Sequence, residues 1–309
     1  MDSNIVLIDW VSISTKELDK DGVIALLGFG EIPWQSIKGM YGYQDRLNYE
    51  GVNIHYNGRD DMGVLLELSG QGCRTFESLG NGDFERLWKF VLSGHGNITR
   101  LDIAYDDHSG ILDMDKLFSD SYTFNYVSKS DSFDFQFSNK GKTIYHGSEK
   151  SEIRLRIYDK AKERHCEEGT HWIRAEFQLR RDRARKFLEL DGTYGERFAG
   201  IMLNYLRYVE PQEDDSNKWR WPLTDYWAEF LQDAVRISLY EKPGMEYNID
   251  RLDNLVFHQL GNAVNTAMQI YGYKGFMDKL RDMRPKPNPK YDLLINKVYH
   301  LTPVWEELD

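Results

Sequence analysis

Hydrophobic and polar positions alternate with a short period over most of the first 180 residues. Ile5–Ile13 is a β-branched apolar run too short for a helix, and it predicts a buried strand. Val52–Tyr56 and Met62–Leu68 predict two more strands, the second closed by the glycine-punctuated stretch Gly70-Gln71-Gly72-Cys73-Arg74. Phe84–Ser93 has helical spacing, and Ile98–Tyr105 returns to a strand that ends at Asp106-Asp107-His108-Ser109-Gly110. Phe133–Phe137 alternates strictly between phenylalanine and a polar residue, as a strand does. Thr143–Tyr145 and Ile153–Tyr158 read as paired strands around Gly147-Ser148-Glu149-Lys150, and Trp172–Leu179 as one more.

From Arg181 the period lengthens. Residues 181 to 275 carry helical patterns, broken at Pro211–Asn217 and at Glu241-Lys242-Pro243-Gly244. Arg284-Pro285-Lys286-Pro287-Asn288-Pro289-Lys290 predicts a stiff basic linker before a short last helix. Helical signals between successive strands are too sparse for a parallel doubly wound sheet. The expected class is α+β, with a mostly antiparallel sheet in the N-terminal two-thirds and a helical C-terminal part. The change of period divides the chain into a strand-rich part, residues 1–190, and a mainly helical part, residues 191–309. Leu7–Ser12 and Arg100–Tyr105 both set an aspartate inside an apolar strand, a faint echo of duplication.

Composition adds a sizeable core and an acidic balance. Of 309 residues, 41% are hydrophobic and 14% aromatic, which excludes wholesale disorder. No apolar stretch approaches the roughly 20 residues that span a bilayer, and the first residues lack a signal peptide's basic region. Cys73 and Cys166 stand too far apart for a disulfide framework or a zinc pattern, which suits a reducing cytoplasm. The net charge of −11 argues against a nucleic-acid partner, yet phosphates meet a local surface. Lys150 to Lys186 holds twelve lysines and arginines against seven acids, enough for a basic groove in an acidic body.

Two strands have an Arg-x-acid pattern on one face. Alternate side chains share a face, so Arg100, Asp102, Ala104 and Asp106 project together, as do Arg174, Glu176 and Gln178. Pooled, their carboxylates make a hard-oxygen site for Mg2+ or Mn2+, with arginines to hold phosphate oxygens. A solvated, salt-bridged face is the plainer reading of either strand alone.

The third pattern is Gly141-Lys142-Thr143-Ile144-Tyr145-His146-Gly147-Ser148-Glu149-Lys150-Ser151-Glu152, followed by Arg154-Leu155-Arg156-Ile157-Tyr158-Asp159-Lys160-Ala161-Lys162-Glu163. Tyr145 ends a strand beside a turn whose main-chain N–H groups suit a phosphate. A phenol titrates near 10, so nucleophilic use needs nearby cations. Lys142, His146, Lys150 and the face shared by Arg154, Arg156, Tyr158 and Lys160 are the candidates. Arg180, Arg181 and Arg183 read equally well as residues that track a DNA backbone and as a solvated helix start. Trp219-Arg220-Trp221 could stack bases, but its tryptophans are read as packing.

The run Gly141–Glu163 resembles the signature of the rolling-circle replication initiation factors of Gram-positive plasmids. Relaxases of integrative conjugative elements and related phage initiators share that family. Asp9-Trp10, Gly70–Arg74, Thr99–Asp106 and Trp172–Arg180 fall in the matching order, so the resemblance spans about residues 5 to 190. It implies that Tyr145 attacks a phosphate at a nick site, keeps the 5′ end as a phosphotyrosine and frees a 3′ hydroxyl. It also implies metal-bound carboxylates, placed on Asp102 and Glu176 with Asp106 as a third and Asp9 as an open question. Arg100, Arg174 and Lys160 join the expected catalytic set. Lys142, Ser148, Lys150, Arg154, Arg156, Arg180, Arg181 and Arg183 form the expected DNA contacts. Tyr158 is the alternative nucleophile, the poorer one because it lies inside a strand. Glu149 departs from the family, which often has arginine in this turn.

The resemblance also implies origin DNA, single-stranded or supercoiled, as partner, a homodimer, and origin choice in the C-terminal part. No Gly-x-x-x-x-Gly-Lys-Ser/Thr occurs, so unwinding would fall to a host helicase. The His-hydrophobe-His cluster of other relaxases and the Arg/His/Arg set of tyrosine recombinases are absent. A non-catalytic origin-binding protein is the competing class.

Overall fold

A computed structural model describes residues 4–29, 31–79, 83–139, 141–236, 256–257 and 261–283. Ten strands form one antiparallel sheet in the order β2-β3-β4-β5-β1-β6-β11-β10-β9-β8. The two longest, β1 (Ile5–Thr15) and β6 (Asn97–Asp107), lie side by side at its centre.

Each long strand opens a unit of the same topology. After β1 come α1 (Lys20–Leu27) and the meander β2 (Gln35–Lys38), β3 (Asp45–Tyr49), β4 (Val52–Tyr56) and β5 (Val64–Leu68), with β5 pairing back onto β1. After β6 come α4 (Met114–Tyr122) and the meander β8 (Phe133–Ser138), β9 (Gly141–His146), β10 (Ile153–Asp159) and β11 (Ile173–Arg180), with β11 pairing back onto β6. Two helices follow each unit, α2 (Gly70–Leu79) and α3 (Phe84–Leu92) after the first, α6 (Asp182–Glu189) and α7 (Tyr194–Tyr205) after the second. The duplication hinted at by two aspartate-bearing strands is therefore present in the topology. Its equivalences differ from the sequence echo, because Trp10 rather than Asp9 faces Asp102, across a β-bulge at Asp9.

One face of the sheet is apolar and covered. Val11, Ile13, Leu101, Ile103, Phe177, Leu155 and Ile144 project into a continuous core with Phe76 of α2, Trp88 of α3, Phe187 of α6 and Phe198 of α7. Trp227 and Phe230 of α8 (Asp225–Arg236) close it, Phe230 meeting Tyr105 edge-on at 4.8 Å. The other face carries the polar set picked out by strand parity. A small second sheet pairs β7 (Tyr126–Ser128) with β12 (Leu206–Tyr208). The four-residue α5 (Lys160–Glu163) follows β10, and α9 (Gly261–Asp282) follows α8, with a non-helical break at Gly272. Among the described residues no helix is long and apolar enough to cross a membrane.

The α+β class holds, and most strand limits agree with the periodicity within two residues. One stretch does not. Gly70–Arg74 is the opening of α2 rather than a turn, and its glycines serve close packing. A Cβ on Gly72 would sit 2.3 Å from the Gly51 carbonyl oxygen, so only glycine lets this helix approach the β3–β4 turn. The weakly patterned β2, β3, β7 and β12, and helices α1 and α4, had no clear period. β2 is exposed at all four positions, so no buried face marks it. The break at Glu241–Gly244, the linker 284–290 and the last helix lie outside the described residues.

Candidate active site

Register brings the polar face together. In the row crossing β9, β10, β11 and β6, Tyr145 faces Arg156, Arg156 faces Glu176, and Glu176 faces Ala104. In the next row Thr143, Tyr158, Arg174 and Asp106 follow one another, and on the other side Arg154, Gln178 and Asp102 do. Directly opposed residues sit about 5 Å apart. Tyr145, Arg156, Glu176 and Asp102 are therefore neighbours on one surface.

Each carboxylate has a cation. Arg100 donates from Nε and Nη2 to the two Asp102 oxygens at 2.9 and 2.5 Å. Arg156 donates to Glu176 Oε1 from Nε at 3.0 Å and Nη2 at 2.7 Å, while the Tyr158 hydroxyl donates to Oε2 at 3.3 Å. Burial pushes the Asp102 carboxyl up to about 7; Arg100 opposes the rise and the nearby Glu176 adds to it. Two carboxylates this close in a desolvated place repel each other, and a divalent cation would relieve that repulsion. The residues therefore fit a hard cation, as two oxygen donors that leave its other positions to water and phosphate. Among the described residues no group of three or more His, Cys, Asp or Glu converges as a complete cage.

Asp106 stands one row away. Arg174 holds both its oxygens, at 2.5 and 2.6 Å, and reaches Asp9 Oδ2 at 2.7 Å with Nη1. Burial would raise the Asp9 carboxyl, but Arg174, Arg74 and Lys160 outweigh it and hold it below its ordinary value. Arg174 is thus enclosed between two acids and turned away from solvent, at 3% exposure. Arg74 of α2 adds a third buried cation, its Nη2 on the Ile8 carbonyl at 2.5 Å and its Nε on Glu77 at 2.7 Å. The glycines of Gly70–Arg74 predict a turn here, whereas Arg74 lies within α2. Its signal was the helical spacing to Glu77.

The two tyrosines separate clearly. Tyr145 is half-buried with the Arg154 guanidinium 4.1 Å above its ring. Tyr158 is 4% exposed, and burial followed by the Glu176 charge pushes its phenol far above the usual range. Lys160 is buried beside Tyr158, Nζ to hydroxyl 3.2 Å, and also pairs with Glu163. Burial, reinforced by Arg174, lowers its ammonium.

Two proposed helpers of Tyr145 face the wrong way. Lys142 and His146 share the face of Ile144, opposite Tyr145. Lys142 pairs with Asp115 of α4. His146 is buried against Tyr126 and Phe133, and burial lowers its imidazole to about 3. Alternation alone predicted this, since 142 and 146 are even and 145 is odd.

The turn after β9 is exposed at Ser148, Glu149 and Lys150. Gly147 has φ +100°, and a Cβ there would lie 2.7 Å from the Tyr205 hydroxyl, so the turn depends on glycine. Arg180 donates to the Glu149 carbonyl, and Arg154 approaches the Glu149 carboxylate at 3.9 Å. The acid at this departure thus lies among cations. Arg181 and Arg183 are exposed at the start of α6.

Comparison with known proteins agrees with this picture. A family model described as replication initiation factor matches residues 96–283, and one described as rolling-circle replication initiation protein N-terminal domain matches residues 5–92. The two meet between α3 and β6, where the first topological unit gives way to the second. The putative DNA relaxase NicK of Bacillus subtilis (strain 168) is 29% identical over 265 residues, covering 79% of this chain and 75% of that one. A solved rolling circle replication initiator protein from Geobacillus stearothermophilus has a TM-score of 0.71 at 29% identity, covering 77% of this chain and 98% of that one. With the fold, the chain order of the motifs and more than half its length in agreement, this chain belongs to the replication initiation factor family.

Proposed function

We propose that this protein starts rolling-circle replication by nicking one strand at an origin, with Tyr145 as nucleophile. The observation that carries this reading is the cross-strand row Tyr145–Arg156–Glu176, beside Asp102 and under the Arg154 guanidinium. The phenol loses its proton to water, and Oη bonds to phosphorus as the P–O3′ bond breaks. The freed 3′ oxygen takes up a proton, and the 5′ phosphate stays on Tyr145. Asp102 and Glu176 would hold Mg2+ or Mn2+, which when bound would supply Lewis-acid polarisation of the scissile phosphate. Arg154 and Arg156 face the same surface and would meet the non-bridging phosphate oxygens. Arg174 and Lys160 are enclosed, so their role is to fix Asp9, Asp106 and Tyr158 rather than to touch DNA. Buried Tyr158, with its hydroxyl committed to Glu176, orients that carboxylate.

The relaxase resemblance favours a second use of the same chemistry, transfer of an integrative conjugative element. Unwinding is assigned to a partner helicase, and the helical part beyond residue 190 to origin choice or dimerisation. Incubation with Mg2+ or Mn2+ and a supercoiled plasmid bearing the cognate origin tests the nucleophile. Wild type should yield open circles with covalently attached protein. Tyr145→Phe should lose both products by on the order of a thousandfold or more. A variant that still nicks and forms the adduct would sink the assignment.

A further inference from the structure

We propose that Phe124 and Trp219 form a stacking platform for unpaired DNA bases, beside the small β7–β12 sheet. The proposal rests on the reading of the chain as a strand-nicking initiator and adds a binding site to it. Both rings face solvent, at 62% and 46% exposure, although the sequence reading had assigned Trp219 to packing. Their backbones, by contrast, are firmly held. Arg207 of β12 donates to the Trp219 and Trp221 carbonyls at 2.7 and 3.1 Å, and Lys218 donates to the Phe124 carbonyl at 2.6 Å. Lys129 lies over the Trp219 ring at 5.0 Å. Exposed aromatic faces with cations beside them, on a fixed frame, suit bases of single-stranded nucleic acid, which offer a π-face whatever their sequence.

Phe124 carries a second sign. Its φ is +58°, a left-handed conformation that glycine or asparagine would adopt with less strain. A bulky side chain that faces solvent contributes little packing to offset that strain. Holding it there is understandable if the ring has a ligand.

The platform is connected to the strand that carries Tyr145. Phe124 stacks towards Tyr126, and Tyr126 meets His146 edge-on at 5.1 Å. The segment after β7 is bonded from Lys129 N to the Tyr205 carbonyl at 2.9 Å, and Gly147 N donates to the Ser132 carbonyl at 2.9 Å. The Tyr205 hydroxyl donates to the His146 carbonyl at 3.1 Å. These contacts tie the small sheet to the end of β9 from the helix-covered face, opposite Tyr145. The surroundings are only weakly basic, since Arg220 is taken by Asp215 at 2.6 and 2.8 Å. Stacking rather than phosphate contact should dominate.

The test uses the full chain carrying Tyr145→Phe, in EDTA, with a fluorescent oligothymidylate followed by anisotropy across a salt series. Adding Trp219→Ala should weaken binding roughly tenfold with little change in salt slope, whereas Trp219→Phe should keep most of it. Phe124→Gly should weaken binding while leaving the melting temperature equal or higher, a split that a structural role would not give. Unchanged affinity in both Trp219→Ala and Phe124→Gly would overturn the proposal, and so would equal losses for duplex and single strand. No cleavage occurs in this assay, so it judges the platform separately from the nucleophile.

Discussion

In the first topological unit the row crossing β3, β4, β5 and β1 reads Asn48, Asn53, Glu67 and Ser12. In the second the equivalent row, across β9, β10, β11 and β6, reads Tyr145, Arg156, Glu176 and Ala104. Both place a glutamate on the strand beside the long central one, and both keep it largely buried. In the first unit the outer positions are amides bonded to each other, Asn48 Nδ2 to Asn53 Oδ1 at 2.8 Å. In the second they are a phenol and a guanidinium. The scaffold supplies a carboxylate at matching places, but only one unit surrounds it with a tyrosine, a second carboxylate and arginines, the set proposed to act on the phosphate. Position in a fold is thus weaker evidence for chemistry than the residues beside it.

Four measurements would break or sharpen that contrast. The largest effect is expected at Arg174, whose loss strands Asp106 as an unpaired buried charge and takes from Asp9 its ion-pair partner. Arg174→Met should destabilise by about 3–5 kcal/mol in urea unfolding, and Arg46→Met, at a half-buried position on β3 of the first unit, by much less. Equal costs would mean that the second unit owes nothing special to its ion network. Next comes pH. The Asp102 carboxyl titrates higher folded than unfolded, so its contribution is full below about pH 4 and is lost as pH rises through about 7. In metal-free protein, Asp102→Asn should gain about 4 kcal/mol over wild type at pH 8 and nothing at pH 4. A difference independent of pH would show that Asp102 is already ionised by its neighbours.

Third, Glu176→Gln should reduce origin nicking on the order of a hundredfold, and excess Mn2+ should recover part of it. A full rate in this variant would remove Glu176 from the metal site. The smallest effect is predicted for Glu67→Gln. Its nicking rate should stay within about threefold of wild type, as a residue outside the reacting row would. A Glu67 effect as large as that of Glu176 would make the two units joint contributors to one site.

Much of this was legible before any tertiary structure. Short apolar runs bounded by turn residues located β1, β4, β6, β10 and β11, and period-two alternation located β8. Parity put Asp102, Glu176, Arg156 and Tyr145 on polar faces, and the order of motifs pointed to the family. Alternation also held the information that Lys142 and His146 oppose Tyr145, which attention to sequence proximity obscured. β2 and β3 were illegible because their side chains are mostly exposed or only half-buried, so burial imposed no pattern.

What the chain alone determined, then, was which residues share a strand face, since that follows from backbone geometry within each segment. Which faces meet was decided by long-range pairing. The β6–β11–β10–β9 order sets Tyr145 beside Arg156 and Glu176, in a sheet whose β6 and β11 start 76 residues apart. The bulge at Asp9 turns that carboxylate to Arg174, and burial, which no local pattern states, commits Tyr158 and leaves Tyr145 accessible. Such choices depend on desolvation and on neighbours distant in sequence, and both exist only once the sheet is assembled.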